Sequence, residues 1–304
     1  MSALGPLLLI AGLLLVVAGA ETFFNGLLAT AQRLRLSPFV LTVLVSGFEL
    51  ENLAAGIALD LHRLPDAAAG TFLGGTTFLA LGVAGLSAAT APIRAELPTP
   101  VLAWSIAGPL PLLAFGLDGS LTRGEGGVLL AWSLICLGGL AYAGRGIVAA
   151  QPLRSRRFAL VRMLVGLAVL SGGGEFVGEG LRRTVSSLSV SGGLLGNTAV
   201  AAAVEAEEVG RVAVPARRGR GDVALANVLG TIVHFAALNA GVIALVRPLA
   251  LGSVSRHLHL PVAAASVAVL VSALATRRGL SRRDGALLLG AYAAYVAAAI
   301  AVSI

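Results

Sequence analysis

The 304-residue chain contains no lysine, so all 22 of its basic side chains are arginine, and it has a single cysteine, Cys136. One cysteine excludes an internal disulfide and a cysteine-based metal cluster. Charge is scarce too. Asp, Glu, Lys and Arg make up 12% of the residues, about half of what a soluble domain needs to cover its surface. Also missing are a His-Glu-x-x-His zinc motif, a Gly-x-Ser-x-Gly nucleophile motif and a phosphate-binding glycine loop, which argues against an intramembrane enzyme. Apolar residues fill the space instead, at 57% of the chain with a mean hydropathy of +0.91. A water-soluble domain is excluded by that balance, and lipid is expected to be the solvent.

Cutting at the charged and Pro/Gly-rich breaks leaves apolar stretches at 3–30, 38–60, 68–92, 100–117, 127–149, 157–181, 190–215, 222–250, 259–276 and 284–303. Each is near the ~20 residues that cross ~30 Å of hydrocarbon. Helices are expected, because in hydrocarbon each span must satisfy its own backbone groups and strands would be shorter and alternating. The first run lacks a basic segment before it and reads as a span, not a signal peptide. The expected class is therefore an all-α integral membrane protein of about ten transmembrane helices.

Arginines on alternate sides of ten spans divide unevenly. Sixteen, including Arg33, Arg94, the group Arg154, Arg156 and Arg157, Arg217 and Arg277, fall on one side; Arg63, Arg123, Arg182, Arg183, Arg247 and Arg256 fall on the other. The positive-inside rule then makes this a multi-pass protein of the cell membrane with both termini outside. The formal net charge of +7 follows from topology, so nucleic acid is not an expected partner.

The chain also resembles itself. Gly47 to Asn52 lies 156 residues before Ala203 to Glu208, and the same offset pairs Asp66 with Asp222, Thr71 with Asn227 and Gly74-Gly75 with Gly230-Thr231. Residues 1–150 and 157–304 are read as two five-helix repeats joined by a short cytoplasmic linker at 151–156. An odd number of crossings makes the second repeat inverted, as in many secondary transporters.

Eight of the 15 acids fall inside the expected spans: Glu21, Glu49, Glu51, Glu175, Glu179, Glu205, Glu207 and Glu208. A carboxylate at mid-membrane costs about 2.5 to 3.5 kcal/mol even on lenient scales, so such acids line a pathway or pair with something. Arg211 is the one base read as within reach on the same helix, three and four residues beyond Glu208 and Glu207. Helical spacing puts Glu49 with Asn52, and Glu205 with Glu208, on matching faces. If the two helices cross, three carboxylates and an amide converge, an all-oxygen set suited to hard cations. Cation or proton binding is therefore assigned to Glu49, Glu51, Asn52, Glu205, Glu207 and Glu208, with Glu49, Glu205 and Glu208 as metal ligands. Further pathway candidates are Glu21, Glu175, Glu179, Thr76, Thr77, Asn227, Thr231 and His234; helix packing is the competing reading of the threonines, and a plain hydrogen bond that of the histidine.

On these residues the chain resembles the cation/Ca2+ exchanger superfamily, which includes sodium/calcium and calcium/proton exchangers. The resemblance covers nearly the whole chain. Each half of such exchangers carries a Gly-Thr-Ser-Leu-Pro-Glu element and, about nineteen residues later, a Gly-Asn-x-x-Gly-Ser element; Asp222 to Thr231 is similar to the second. The family's ion-binding glutamates fall on Asn52 and Glu208, its serines on Glu49 and Glu205, its prolines on Glu51 and Glu207, and its later polar ligands on Leu79 and Phe235. Without those prolines, the second and seventh spans are expected to run unbroken. The resemblance implies the ten-helix inverted-repeat fold and a secondary cation antiporter, with Ca2+ or Na+ as transported cation and no resident cofactor. The alternatives are a proton-coupled transporter of another cation and a transport-inactive homologue. Lipid, inorganic cations and protons are the expected partners, and the sequence leaves the oligomeric state open.

Overall fold

A computed structural model describes residues 4–46, 50–147, 157–186 and 205–303. Apart from turns and loops, the described chain is helical with four two-residue strands. In order, the helices are α1 (Leu4–Leu34), α2 (Pro38–Val45), α3 (Leu50–Leu61), α4 (Pro65–Thr90), α5 (Thr99–Gly116), α6 (Arg123–Gly144), α7 (Ala159–Ser186), α8 (Ala206–Arg217), α9 (Gly221–Val246), α10 (Ser255–Arg277) and α11 (Arg282–Ser303). Among the described residues, eight helices are long and apolar enough to cross a membrane: α1, α4, α5, α6, α7, α9, α10 and α11.

Local chemistry fixes several starts. Ser37 caps α2, its Oγ accepting from Val40 N at 3.1 Å, with Pro38 at the first helical position. Thr122 and Glu125 form a capping box at α6, and Ser281 with Asp284 does the same at α11.

The second span is described in two segments. Its first segment ends at Val45 and the next begins at Leu50, with 47–49 outside the described residues. The expectation of unbroken helices turns on 47–49 and on residues before Glu205, which lie outside the described residues. The Ser46 carbonyl at the end of α2 accepts from Thr231 Oγ1 at 3.1 Å and Arg211 NH1 at 3.4 Å, so side chains from the other half of the protein take up a helix-terminal acceptor. Of the expected span 190–215, the described part is α8 from Ala206, with Glu205 at its cap position.

Inside α4 the backbone widens into a π turn at Phe78–Val83, and α9 has the same feature at His234–Asn239, 156 residues later. These two helices form the centre: 78% of the most apolar stretch of α4 and 83% of that of α9 is buried, against 11% for α11. The outer helices turn leucines outward, among them Leu7, Leu14, Leu134 and Leu287, as lipid-facing surfaces do.

Helices α1 and α7 pack antiparallel through glycines spaced seven apart. Gly5, Gly12, Gly19 and Gly26 meet Thr184, Val177, Leu170 and Met163, while Gly166, Gly173 and Gly180 meet Phe23, Val16 and Leu9. Each glycine lets a larger residue of the partner lie on its backbone. At the two ends of the bundle, Ile93–Arg94 pairs antiparallel with Gly279–Leu280, and Ser120–Leu121 with Leu249–Ala250, tying the loops of the first half to those of the second.

Candidate cation site

The acids of the second half gather where α8 begins. Glu205 precedes the helix and Glu207 and Glu208 occupy its first turn, an N-terminal position that favours negative charge. One turn on, Arg211 returns toward them. Its NH1 donates to Glu208 Oε1 at 2.6 Å and its NH2 to Glu207 Oε1 at 3.1 Å. The Arg211 side chain is 3% exposed and that of Glu208 1%, so this is a buried, charge-assisted bridge.

Neighbouring helices complete the shell. From α9, Asn227 Nδ2 donates to Glu208 Oε2 at 2.6 Å; from α7, Ser171 Oγ donates to Glu207 Oε2 at 2.8 Å. Both oxygens of Glu207 and both of Glu208 are thereby occupied. Glu205 differs: it is 8% exposed, and its Oε2 has no hydrogen-bond partner among the described residues. Asn227 Oδ1 is likewise buried without a partner. Three carboxyl groups and one guanidinium thus share a buried space, with two oxygen acceptors unused.

The remaining sequence candidates separate clearly. Glu49 lies outside the described residues, and for Glu51 only the helical backbone of α3 is described. Asn52 is half-buried. The metal set named from the sequence includes Glu49; among the described residues no three His, Cys, Asp or Glu side chains are grouped to hold a metal ion. Thr76 and Thr77 donate back to Phe72 O and Leu73 O of their own helix at 2.7 and 3.0 Å, which is the packing role. His234 Nδ1 bonds Gly230 O at 2.8 Å, also within its own helix. Thr231 spans the two halves by donating to Ser46 O.

Three acids lie away from the site. Glu175 is exposed on α7. Glu21 pairs with Arg218 at 2.9 Å, and Glu179 with Arg182 at 2.7 Å and with Arg183. The reading that only Arg211 answers an intramembrane acid from the same helix is corrected by Glu179, whose partners stand three and four residues on.

Sequence reasoning missed Ser46 and Ser171. Ser46 acts through its carbonyl, which every residue has. Ser171 was visible only as the hydroxyl that opens the Gly172-Gly173-Gly174 run of α7.

With this geometry in place, the family model for the sodium/calcium exchanger protein matches residues 4–140 and 158–301. The chain belongs to the sodium/calcium exchanger family. Among solved structures, this exchanger-family chain is similar to the sodium-calcium exchanger NCX_Mj soaked with Na+ and Sr2+, with a TM-score of 0.82 and 24% identity, covering 98% of this chain and 99% of that one; this likeness speaks for the fold. Among sequences, it is 26% identical over 308 residues to CaxA of Alkalimonas amylolytica, covering 93% of this chain and 95% of the relative, whose assignment as an antiporter is itself provisional. It is also 26% identical over 267 residues to the inner membrane protein YrbG of Escherichia coli strain K12, covering 81% of each. The relatives are exchangers and membrane proteins, not enzymes.

Proposed function

We propose that this exchanger-family protein is a secondary cation antiporter in which a cation binds at the carboxyl cluster opening α8, alternately from the two sides of the cell membrane. The observation that carries the reading is Glu205, a buried carboxyl with an unsatisfied oxygen beside Glu207 and Glu208. Such a group is costly unless something positive visits it.

The finer architecture belongs to the same reading. Residues 1–150 and 157–304 are two inverted five-helix repeats around the linker 151–156, giving ten spans with both termini outside. The recurrence of boundaries between α3 and α8 and between α4 and α9 supports it, since the helix ends Leu61 and Arg217, the segments Pro65–Thr77 and Gly221–Val233, and the two π turns are each 156 residues apart. So does the exchange of strands at the two bundle ends, where a loop of each half pairs with a loop of the other. In the first repeat, Glu49, Glu51 and Asn52 are assigned as the matching binding residues.

A transport-inactive homologue is the second reading, favoured by Leu79 and Phe235. These stand where the family has polar ligands, and they are buried at 0% and 1% exposure. Purified protein in proteoliposomes, with Ca2+, Na+ and K+ followed under imposed Na+ and H+ gradients, decides between them. Gradient-driven cation movement that disappears in Glu208→Gln supports the antiporter and names its ion. No movement under any gradient from folded protein leaves the inactive homologue.

A further inference from the structure

Arg211 places a permanent positive charge among oxygen donors that a free cation would otherwise use. Its guanidinium meets Glu208 Oε1 at 2.6 Å, Glu207 Oε1 at 3.1 Å and the Ser46 carbonyl at 3.4 Å. Two carboxylates and a helix-terminal carbonyl are the ligands a hard divalent cation takes. Arginine cannot give up its charge in a protein, so this occupant does not leave by deprotonation. It is also one-sided. The helix bounds repeat 156 residues apart, and at that offset Glu207 corresponds to Glu51 while Arg211 corresponds to Ala55.

From this, and resting on the antiporter reading of the same site, we infer that Arg211 is a tethered counter-cation. It fills the divalent position between Glu207 and Glu208, so that the protein takes singly charged cations and discriminates against divalent ones. The oxygens left open around Glu208 are Glu205 Oε2 and Asn227 Oδ1, both buried and without hydrogen-bond partners among the described residues. One open carboxylate oxygen and one amide oxygen are far fewer ligands than the roughly six to eight oxygens a Ca2+ ion takes. A divalent ion there would meet the guanidinium on the neighbouring acids as a like charge, and at about 4 Å that repulsion is large even at an effective dielectric of about 20.

The test reads binding rather than transport. Wild type, Arg211→Ala and Arg211→Lys are purified in detergent, and Ca2+ binding is measured by equilibrium dialysis with radioactive calcium and by Ca2+-dependent thermal stabilisation. Arg211→Ala is expected to bind Ca2+ on the order of a hundredfold more tightly than wild type, and Arg211→Lys, which keeps the charge, to bind as weakly as wild type. If Arg211→Ala yields no folded protein, the double variant Glu207→Gln with Arg211→Ala, equal in charge to wild type, replaces it and is expected to show a smaller gain in the same direction. A folded Arg211→Ala, or the folded double variant in its place, that binds Ca2+ no better than wild type overturns the inference, as does an Arg211→Lys that binds as tightly as Arg211→Ala. So does wild-type Ca2+ binding that vanishes in Glu208→Gln. Because a gain in Ca2+ binding needs no transport, a protein without flux still tests this point, and the two readings fail separately.

Discussion

Replacing Glu205 by glutamine separates stability from cation binding. Glu205 and Glu208 stand three residues apart at the start of α8, a spacing that brings side chains within about 5–6 Å. Two unit charges about 6 Å apart, at an effective dielectric of about 20, repel by roughly 3 kcal/mol. Arg211 offsets part of this from beyond Glu208, which leaves about 1–2 kcal/mol of strain that a neutral amide relieves. No hydrogen bond to Glu205 Oε2 is lost, because none is made among the described residues. In cation-free buffer, Glu205→Gln is therefore expected to unfold at a temperature equal to or above that of wild type. Adding the bound cation reverses the order. At 100 times its dissociation constant a ligand stabilises by about 2.7 kcal/mol, and that gain is expected for wild type and absent from the variant. Scanning fluorimetry in detergent, in sodium against choline buffer and then with other cations, reads both effects. A variant clearly less stable than wild type without cation, or one that keeps the full cation-dependent shift, would refute the reasoning.

Three further outcomes are expected. Glu208→Gln costs about 1–2 kcal/mol, since Asn227 can turn its unpartnered Oδ1 toward the new amide, whereas Glu208→Ala strands Arg211 and Asn227 and costs about 3–5 kcal/mol; unfolding midpoints in detergent rank the two. Gly19→Leu sets a Cβ 2.5 Å from Leu170 N and 3.0 Å from Leu170 Cβ, and overpacking of this kind costs about 1–3 kcal/mol; a lower midpoint and a lower yield of folded protein are the readout. For orientation, single cysteines at Arg63 and Arg94 in a Cys136→Ala background are expected to react with a membrane-impermeant thiol reagent from outside the cell and from the cytoplasm only, respectively.

Much of the fold was legible in the sequence because lipid imposes long apolar runs, and eight of those runs are the membrane-length helices of the described chain. The offset of 156 residues was legible because Glu49-x-Glu51-Asn52 and Glu205-x-Glu207-Glu208 break such runs in the same way. Arg211 was readable as a partner of Glu207 and Glu208 from helical spacing alone. The contacts to Ser46 O were not, since they come from Arg211 and Thr231, more than 160 residues away. Neither was Ser171 as a donor to Glu207, a contact made only when α7 lies against α8. The π turns leave no sequence signature in Phe78–Val83 or His234–Asn239, and two-residue strands are too short for alternation to mark them. The glycines of α1 and α7 stand seven apart in the sequence, but their packing role emerges only from the contacts the two helices make.

The central claim, that the carboxyl cluster at the start of α8 binds the exchanged cation, is tested most directly by comparing wild type and Glu205→Gln in proteoliposomes of matched protein content. Both are loaded with the cation under study and diluted to impose a gradient of the exchanging ion. The expected result is gradient-driven efflux from wild-type vesicles and none above protein-free vesicles from Glu205→Gln. Efflux of equal rate from both would contradict the account, because it would mean the ion crosses without using the buried carboxyl that the site leaves open.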